Sequence, residues 1–444
     1  MALRHFVRKF SPGFDFGVSR RMSTEGHVLV MSNLYPQPNA SAAGSRTAYI
    51  LRQLCGAEWK SVHFAANSKE SDDAIVKELT DEGVHFHSIE PNNSNEMKQL
   101  LDRIGSNLSM VIYDKFYTEE AFSFHIHNER PDAVQVVDMQ DMHSLRRGRQ
   151  RFCEKAADGW DCIPDSLSYS PAHAEDLLLR ELASLHRSDL SLVCSPVEHD
   201  LLVQTYQIPS SKLCTASFWV DASCNPQPWL ERHHFFFVGG FRHDPNVDAV
   251  KQLANHVWPA IRERLPDAEL HVYGAHINHQ VSKLHDPKQG LHIMGFCADL
   301  DTTLSRYRVL LAPLRFGAGI KGKIIDGWRC GVPVVTTSIG SEGMLDGEEW
   351  GGSVANLIPE FCDAAVNLHC DQDSWNSAVQ RGKAILEELY STTNWSEVAM
   401  ALQNAVHNRE DRRSKDLTRF LLWQQGIRST EYFSRWIEAK NQKL

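Results

Sequence analysis

The sequence has no apolar run near the ~20 residues that a membrane-spanning helix needs, so no transmembrane segment is expected. Positive charge is also short. Lys and Arg number 46 against 56 Asp and Glu, a net charge of -10. A nucleic-acid binder would carry a basic footprint, so nucleic acid is not expected as a partner, although a local basic patch remains open. The ten cysteines form no CxxC pair and no spacing typical of metal ligands; Cys153 and Cys162 are near neighbours with no further partner. That scatter excludes a disulfide framework, predicts no metal centre, and fits a reducing compartment. The N-glycan acceptor tripeptides at Asn39, Asn92, Asn107 and Asn394 carry little weight without a secretory signal.

What is present reads as a globular protein: 444 residues, 42% apolar and 23% charged. The chain is too long for one ordinary core, and two domains are expected. Residues 1–26 stand apart. Arg4, Arg8, Lys9, Arg20 and Arg21 face the single acid Asp15 before Glu25, with no long apolar stretch. The pattern reads either as an organellar transit peptide or as a basic leader, with Met22 an alternative start. The expected compartment is the cytoplasm, or a mitochondrion or plastid if the leader is a transit peptide.

The stretch Leu310–Thr337, LLAPLRFGAGIKGKIIDGWRCGVPVVTT, organises the rest. Leu310–Ala312 reads as a buried strand, Gly317-Ala318-Gly319 as a permissive loop, and Lys321–Arg329 as a helix ended by Gly331-Val332-Pro333. Val334–Thr337 is β-branched strand material. Such a unit offers backbone N–H groups and a helix N-terminus to an anion, and so predicts a nucleotide phosphate site.

Around it, strands are predicted at His27–Ser32, Ser61–Ala65, Val84–Ser88, Met110–Tyr113, Ala133–Val137 and Leu190–Cys194. They alternate with helices such as Thr47–Cys55, Ala172–His186 and Glu198–Tyr206. Arg146–Ser170, polar and rich in turn formers, is expected to be irregular. A loop-like, proline-containing stretch near residues 222–233 predicts the linker. A second series follows with strands at His234–Gly239, Glu269–Tyr273, Leu291–Gly295, Val309–Ala312 and Val332–Thr336, and a helix at Val247–Leu265. Beyond Glu360 the chain reads as helical, with Trp395–Asn408 and Asp416–Ala439 the clearest segments. This alternation predicts an α/β protein with doubly wound parallel sheets. The expected parts are a first domain over 27–221, a second over 234–390, and terminal helices over 391–444 that return to the first domain. In open parallel sheets ligands sit beyond the carboxyl ends of the strands. Gly44, Gly239-Gly240, Gly274, Gly295, Gly317–Gly319 and Gly340–Gly343 all follow predicted strands, which suggests a nucleotide-sized ligand between the domains.

These segments resemble GT-B type glycosyltransferases, in particular the retaining enzymes of glycosyltransferase family 4. The resemblance is carried by FVGGFRHDPNVDAV (Phe237–Val250), PDAELHVYG (Pro266–Gly274), GFCADL (Gly295–Leu300) and APLRFGAGIKGKIIDGWRCGVPVVTTSIGSEGM (Ala312–Met344). Weaker matches lie in Ser41–Arg46, Val136–Arg146 and Arg180–Leu202. It implies two facing Rossmann-like lobes and a nucleotide-diphosphate sugar bound mainly by the second, with neither metal nor further cofactor required. It further implies a nucleobase contact at Gly295-Phe296 and diphosphate contacts from Lys323 with the Gly317–Gly319 backbone. Asp326 would accept from the ribose, and Gly340, Ser341, Glu342 and Gly343 would close over the phosphate. Gly44 and the Gly239-Gly240 turn would approach the donor, and His143 would lie near the transferring sugar.

Two departures accompany the match. The first acid of the family's paired motif falls at Ala318, and Gly240 takes a position where many members have Arg, leaving Arg242, Arg315 and Lys321 to supply charge. Bland alternatives stand beside these roles: Lys323 as a solvated lysine, Asp326 as a surface acid, and His143 as an ordinary hydrogen-bonded histidine. The run Arg146, Arg147, Arg149 and Arg151 reads as solvated, or as a recruiter of an anionic acceptor or a peripheral membrane surface. Phe420, Trp423, Tyr432, Phe433 and Trp436 read as a packed helix, or as a membrane contact. The expected function is hexosyl transfer to an acceptor (glycan, lipid, protein or small molecule) with retention. The alternatives are a catalytically inactive GT-B nucleotide-binding or scaffold protein, and a phosphorylase or nucleotide-sugar epimerase.

Overall fold

The computed structural model describes residues 24–441 apart from 39, 58, 68–72, 157–159, 221–226 and 346–348. Residues 1–23 of the expected leader and the start of the expected linker thus lie outside the described residues, while Thr24–Gly26, assigned to the leader, already belong to the first strand. Two sheets dominate. The first has the order β3-β2-β1-β4-β5-β6-β7, with β1 Thr24–Ser32, β2 Trp59–Ala66, β3 Val84–Ser88, β4 Leu108–Asp114, β5 Val134–Asp138, β6 Leu190–Val193 and β7 Leu213–Thr215. The second has the order β10-β9-β8-β11-β12-β13, with β8 His233–Val238, β9 Leu270–Tyr273, β10 Leu291–Gly295, β11 Tyr307–Ala312, β12 Val334–Thr336 and β13 Gly352–Val354. Neighbouring strands in both sheets run parallel.

Alternate residues of each central strand supply the two cores. In the first lobe Leu29, Met31, Val111 and Tyr113 pack on one face; Val28, Val30, Met110 and Ile112 pack on the other. The second face is covered partly by Trp395, Val398, Leu402 and Ala405 of the late helix Trp395–His407, so the chain crosses back to its first lobe. In the second lobe Phe235 and Phe237 face one core and Phe236 and Val238 the other. Burying such side chains is worth roughly 1.5–3 kcal/mol each, which is why continuous apolar strands end up covered on both faces.

Three expectations are corrected. Arg146–Ser170 is largely helical, with helices at His143–Lys155 and Ile163–Ser168. Its polar side chains hid the period because several of them bond to neighbouring segments rather than to water. Strands β7 and β13, three residues each, were not anticipated. The predicted Val247–Leu265 helix is broken into Asp244–Gln252, a wide turn at Leu253–Val257, and Trp258–Arg264. Pro259 lacks the N–H that would bond the Asn255 carbonyl, so the ladder must widen there. Among the described residues no helix is long and apolar enough to cross a membrane.

Candidate active site

The carboxyl ends of the two sheets face each other across a cavity of about 880 Å³. First-lobe residues on its wall include Ser41, Lys115, Tyr117, Gln140, Asp141, His143 and Arg146. The second lobe contributes Gly239, Gly240, Asn246, Phe296, Gly317, Lys321, Lys323 and Asp326, among others. Lys115 and Gln140, just past β4 and β5, have φ of 72° and 63°. Non-glycine residues seldom adopt that conformation, and here both hold side chains on the cleft wall.

Lys323 lies in the first turn of the helix Gly322–Arg329. Its ammonium donates to Asn246 Oδ1 at 2.5 Å and lies 5.0 Å from the Phe237 ring centre. Burial, reinforced by Lys321, pushes its pKa down to about 7. Asn246 in turn donates to Gly240 O at 2.8 Å, so one side chain ties Lys323 to the Gly239-Gly240 turn. Space at that turn is short: a Cβ on Gly239 would come within 2.6 Å of the Asn246 amide. One turn beyond Lys323, the Asp326 carboxyl is 32% exposed and 3.9 Å from Arg329. Burial, partly offset by Arg329, raises its pKa to about 6. Phe296 is 56% exposed at the rim, beside Gly295 with φ 93°.

His143 opens its helix under an acidic clamp. Glu181 accepts the backbone N–H groups of His143 at 2.6 Å and Ser144 at 2.9 Å, occupying free donors of the helix start. The imidazole Nε2 lies 3.3 Å from Asp141 Oδ1, and Phe116 meets the ring edge-on at 5.5 Å. Asp141 also pairs with Arg146, and Arg146, with a hydrogen bond from His143, holds its carboxyl well below the usual range against the opposing effect of burial.

Other expected site residues make contacts within the protein. Arg315 is buried and bidentate to Asp248 at 2.6 and 3.0 Å, so its charge is already matched. Gly44 is off the wall: its N–H donates to Ser41 Oγ, and a Cβ there would come within 2.4 Å of Gln37 O. Its neighbours Ser41–Ala43 and Ser45 reach the cavity instead. Gly340, Ser341, Glu342 and Gly343 do not line the cavity. Gly340 is pressed against Thr336, Ser341 Oγ donates to Ser338 O at 3.3 Å, and Gly343 (φ 70°) abuts Ser195. Glu342 accepts from Arg149 at 2.6 and 2.8 Å. The glycine loop is likewise engaged. Gly317 O accepts from Arg149 at 3.0 Å, the Gly319 N–H donates to Glu198 at 2.7 Å, and Gly319 O accepts from Lys321 at 2.7 Å. Ala318 lines the cavity and packs against the first-lobe core.

The arginine run therefore divides. Arg146 sits in the cleft, Arg149 is buried between the lobes, and Arg147 and Arg151 are exposed. Sequence reasoning missed Asn246, Lys115 and Glu198. Asn246 lay within the segment that carried the family resemblance; Lys115 and Glu198 had no local signal. Burial, with Asp141 nearby, raises the Glu198 pKa to about 8.

The arrangement of two parallel-sheet lobes is shared with solved structures. HepE from Anabaena, in complex with UDP and glucose, aligns at TM-score 0.62 and 11% identity, over 85% of this chain and 100% of that chain. The chain has the GT-B fold. The GT-B structure of a Staphylococcus aureus TarM point mutant, in complex with fondaparinux, alpha-GlcNAc-glycerol and UDP, aligns at TM-score 0.63 and 9% identity, over 85% and 99%. Sucrose-phosphate synthase from Thermosynechococcus elongatus aligns at 0.62 and 12%, over 88% and 100%. Within this GT-B chain, residues 232–371 match the family of glycosyl transferases group 1. No curated protein sequence matches the chain.

Proposed function

We propose that the protein transfers a glycosyl group from a nucleoside-diphosphate sugar, held mainly by the second lobe, to an acceptor approaching from the first, with retention of configuration. The observation that carries this reading is Lys323, fixed by Asn246 at a helix start, facing a nucleotide-sized cleft with Asp326 one turn away. A diphosphate leaving group develops charge as its bond to the sugar breaks, and a cation already aimed at it lowers that barrier. In the proposed chemistry the C1–O bond to the phosphate breaks as the acceptor hydroxyl oxygen bonds C1 on the same face. The acceptor proton passes to the departing phosphate oxygen. His143 hydrogen-bonds the sugar from the opposite lobe, Asp326 accepts from ribose hydroxyls, and Phe296 covers the base. The donor is a substrate, and this route needs no further cofactor and no resident metal in the cleft.

The test is slow hydrolysis of nucleoside-diphosphate sugars in a panel that varies base and sugar. Turnover with one donor, lost in Lys323→Ala, supports the reading; absence of both binding and turnover with every donor overturns it. A second reading, a nucleotide-binding GT-B protein without catalysis, is favoured by Ala318 at the missing acid and by Glu198 engaging the Gly319 amide. Nucleotide binding without turnover, unchanged in Ala318→Glu, would select it.

A further inference from the structure

A second cluster of side chains lies on the second-lobe sheet and shares no residue with the cleft wall. Glu269 precedes β9 and His271 lies two residues on, so strand alternation puts both on one face. His292 of the edge strand β10 pairs in register with His271. The Glu269 carboxylate, one His271 nitrogen and one His292 nitrogen all lie within 4.8 Å of one another. Glu269 Oε2 is 2.9 Å from His271 Nε2, and Glu269 Oε1 is 3.8 Å from His292 Nε2. Buried polar atoms are normally hydrogen-bonded, yet His292 Nε2 is buried with no hydrogen-bond partner.

We propose that Glu269, His271 and His292 form a binding site for one divalent transition-metal ion of the Zn²⁺ class. Two imidazoles and a carboxylate are the donor set such an ion takes, and they leave a coordination position for water. The supporting shell is in place. His271 Nδ1 lies 2.6 Å from the Tyr307 hydroxyl, which meets the Tyr273 hydroxyl at 2.7 Å. With Nε2 on a metal, Nδ1–H donates to Tyr307, the arrangement that orients ligating histidines. His234 acts one step out: its Nδ1 accepts the Glu269 N–H at 3.2 Å, so its Nε2 keeps a proton and points toward the Glu269 carboxylate at 3.8 Å. Hard ions such as Mg²⁺ and Ca²⁺ want more oxygen ligands than this site offers. The ion would pin edge strand β10 to β9.

The experiment uses tag-free full-length protein loaded with Co²⁺ or Zn²⁺ and desalted. The expected result is one equivalent of metal and visible Co²⁺ d–d absorption, displaced by Zn²⁺ but not by equimolar Mg²⁺. His292→Ala removes the absorption while circular dichroism stays unchanged, and Tyr307→Phe weakens affinity roughly 10- to 100-fold. His407→Ala, at an exposed histidine elsewhere, leaves both readouts as in the parent. Should the parent retain no metal, should His292→Ala keep the full absorption, or should Mg²⁺ compete equally, the proposal fails.

Discussion

On the proposed function Lys323 meets a diphosphate only as the ammonium, and its burial makes that protonation conditional on pH. With its pKa near 7 in the free cleft, the lysine is about half charged at neutral pH. A bound diphosphate favours the ammonium, so donor binding takes up a proton above pH 7. Affinity for a nucleoside-diphosphate sugar should therefore fall as pH rises past 7, by up to about tenfold per unit. On the acid side Asp326 gains a proton below about 6 and loses acceptor capacity for the ribose. The expected profile is a narrow maximum between these limits, read by calorimetry in buffers of different ionisation enthalpy. A flat profile would remove Lys323 from the donor site. Lys323→Ala should weaken the donor roughly 10- to 100-fold, the size of a charge-assisted hydrogen bond, with the melting temperature of the free protein little changed.

At the scale of elements, the helix His143–Lys155 does two jobs at once. Its first turn offers His143 and Arg146 to the cleft, and its buried Arg149 reaches across to Glu342 and Gly317 O. Glu342→Gln keeps the shape but leaves a buried guanidinium with only carbonyl acceptors. The expected cost is about 3 kcal/mol in denaturant unfolding, with weaker donor binding as the glycine loop loosens. Arg147→Gln, at the same helix's exposed face, should change neither. This helix was illegible in the sequence because the partners that satisfy its polar residues lie on other elements. The strands were legible for the opposite reason: runs such as Val84–Ser88 and Leu291–Gly295 declare themselves by local apolar pattern. Strands of three residues carry too little pattern to do so. The same divide runs through the cleft wall. Gly239 and Gly317 follow strands in glycine-marked loops and Lys323 lies in the first turn of the next helix, so a local pattern points to their place on the wall, whereas Glu198 meets Gly319 from 121 residues away, a pairing no local pattern encodes.

At the scale of the whole molecule the two lobes are in contact, and the contact is close. A Cβ on Gly322 would come within 2.2 Å of the Ala42 side chain, and one on Gly240 within 3.1 Å of Ala40 O. Gly322→Val should hold the lobes apart without disturbing either core. The predicted signature is a larger radius of gyration by small-angle scattering, unchanged unfolding, and reduced turnover. The terminal helices bind the other side of the first lobe. Arg413 pairs bidentately with buried Asp189 at 2.7 Å, and Trp423 Nε1 donates to Arg187 O at 3.0 Å. Against burial, which would raise it, Arg413 and Arg419 hold the Asp189 carboxyl below its ordinary pKa. Deleting residues 409–444 removes both arginines and leaves Asp189 bonded to backbone alone at Gln135 N. An uncompensated buried charge of this kind costs about 3–5 kcal/mol. The truncated chain should therefore lose first-lobe stability while the second lobe keeps its own. Two unfolding transitions in place of one, with the earlier abolished by Asp189→Asn, would identify the terminal helices as part of the first lobe's fold rather than an appendage. A single unshifted transition would refute it.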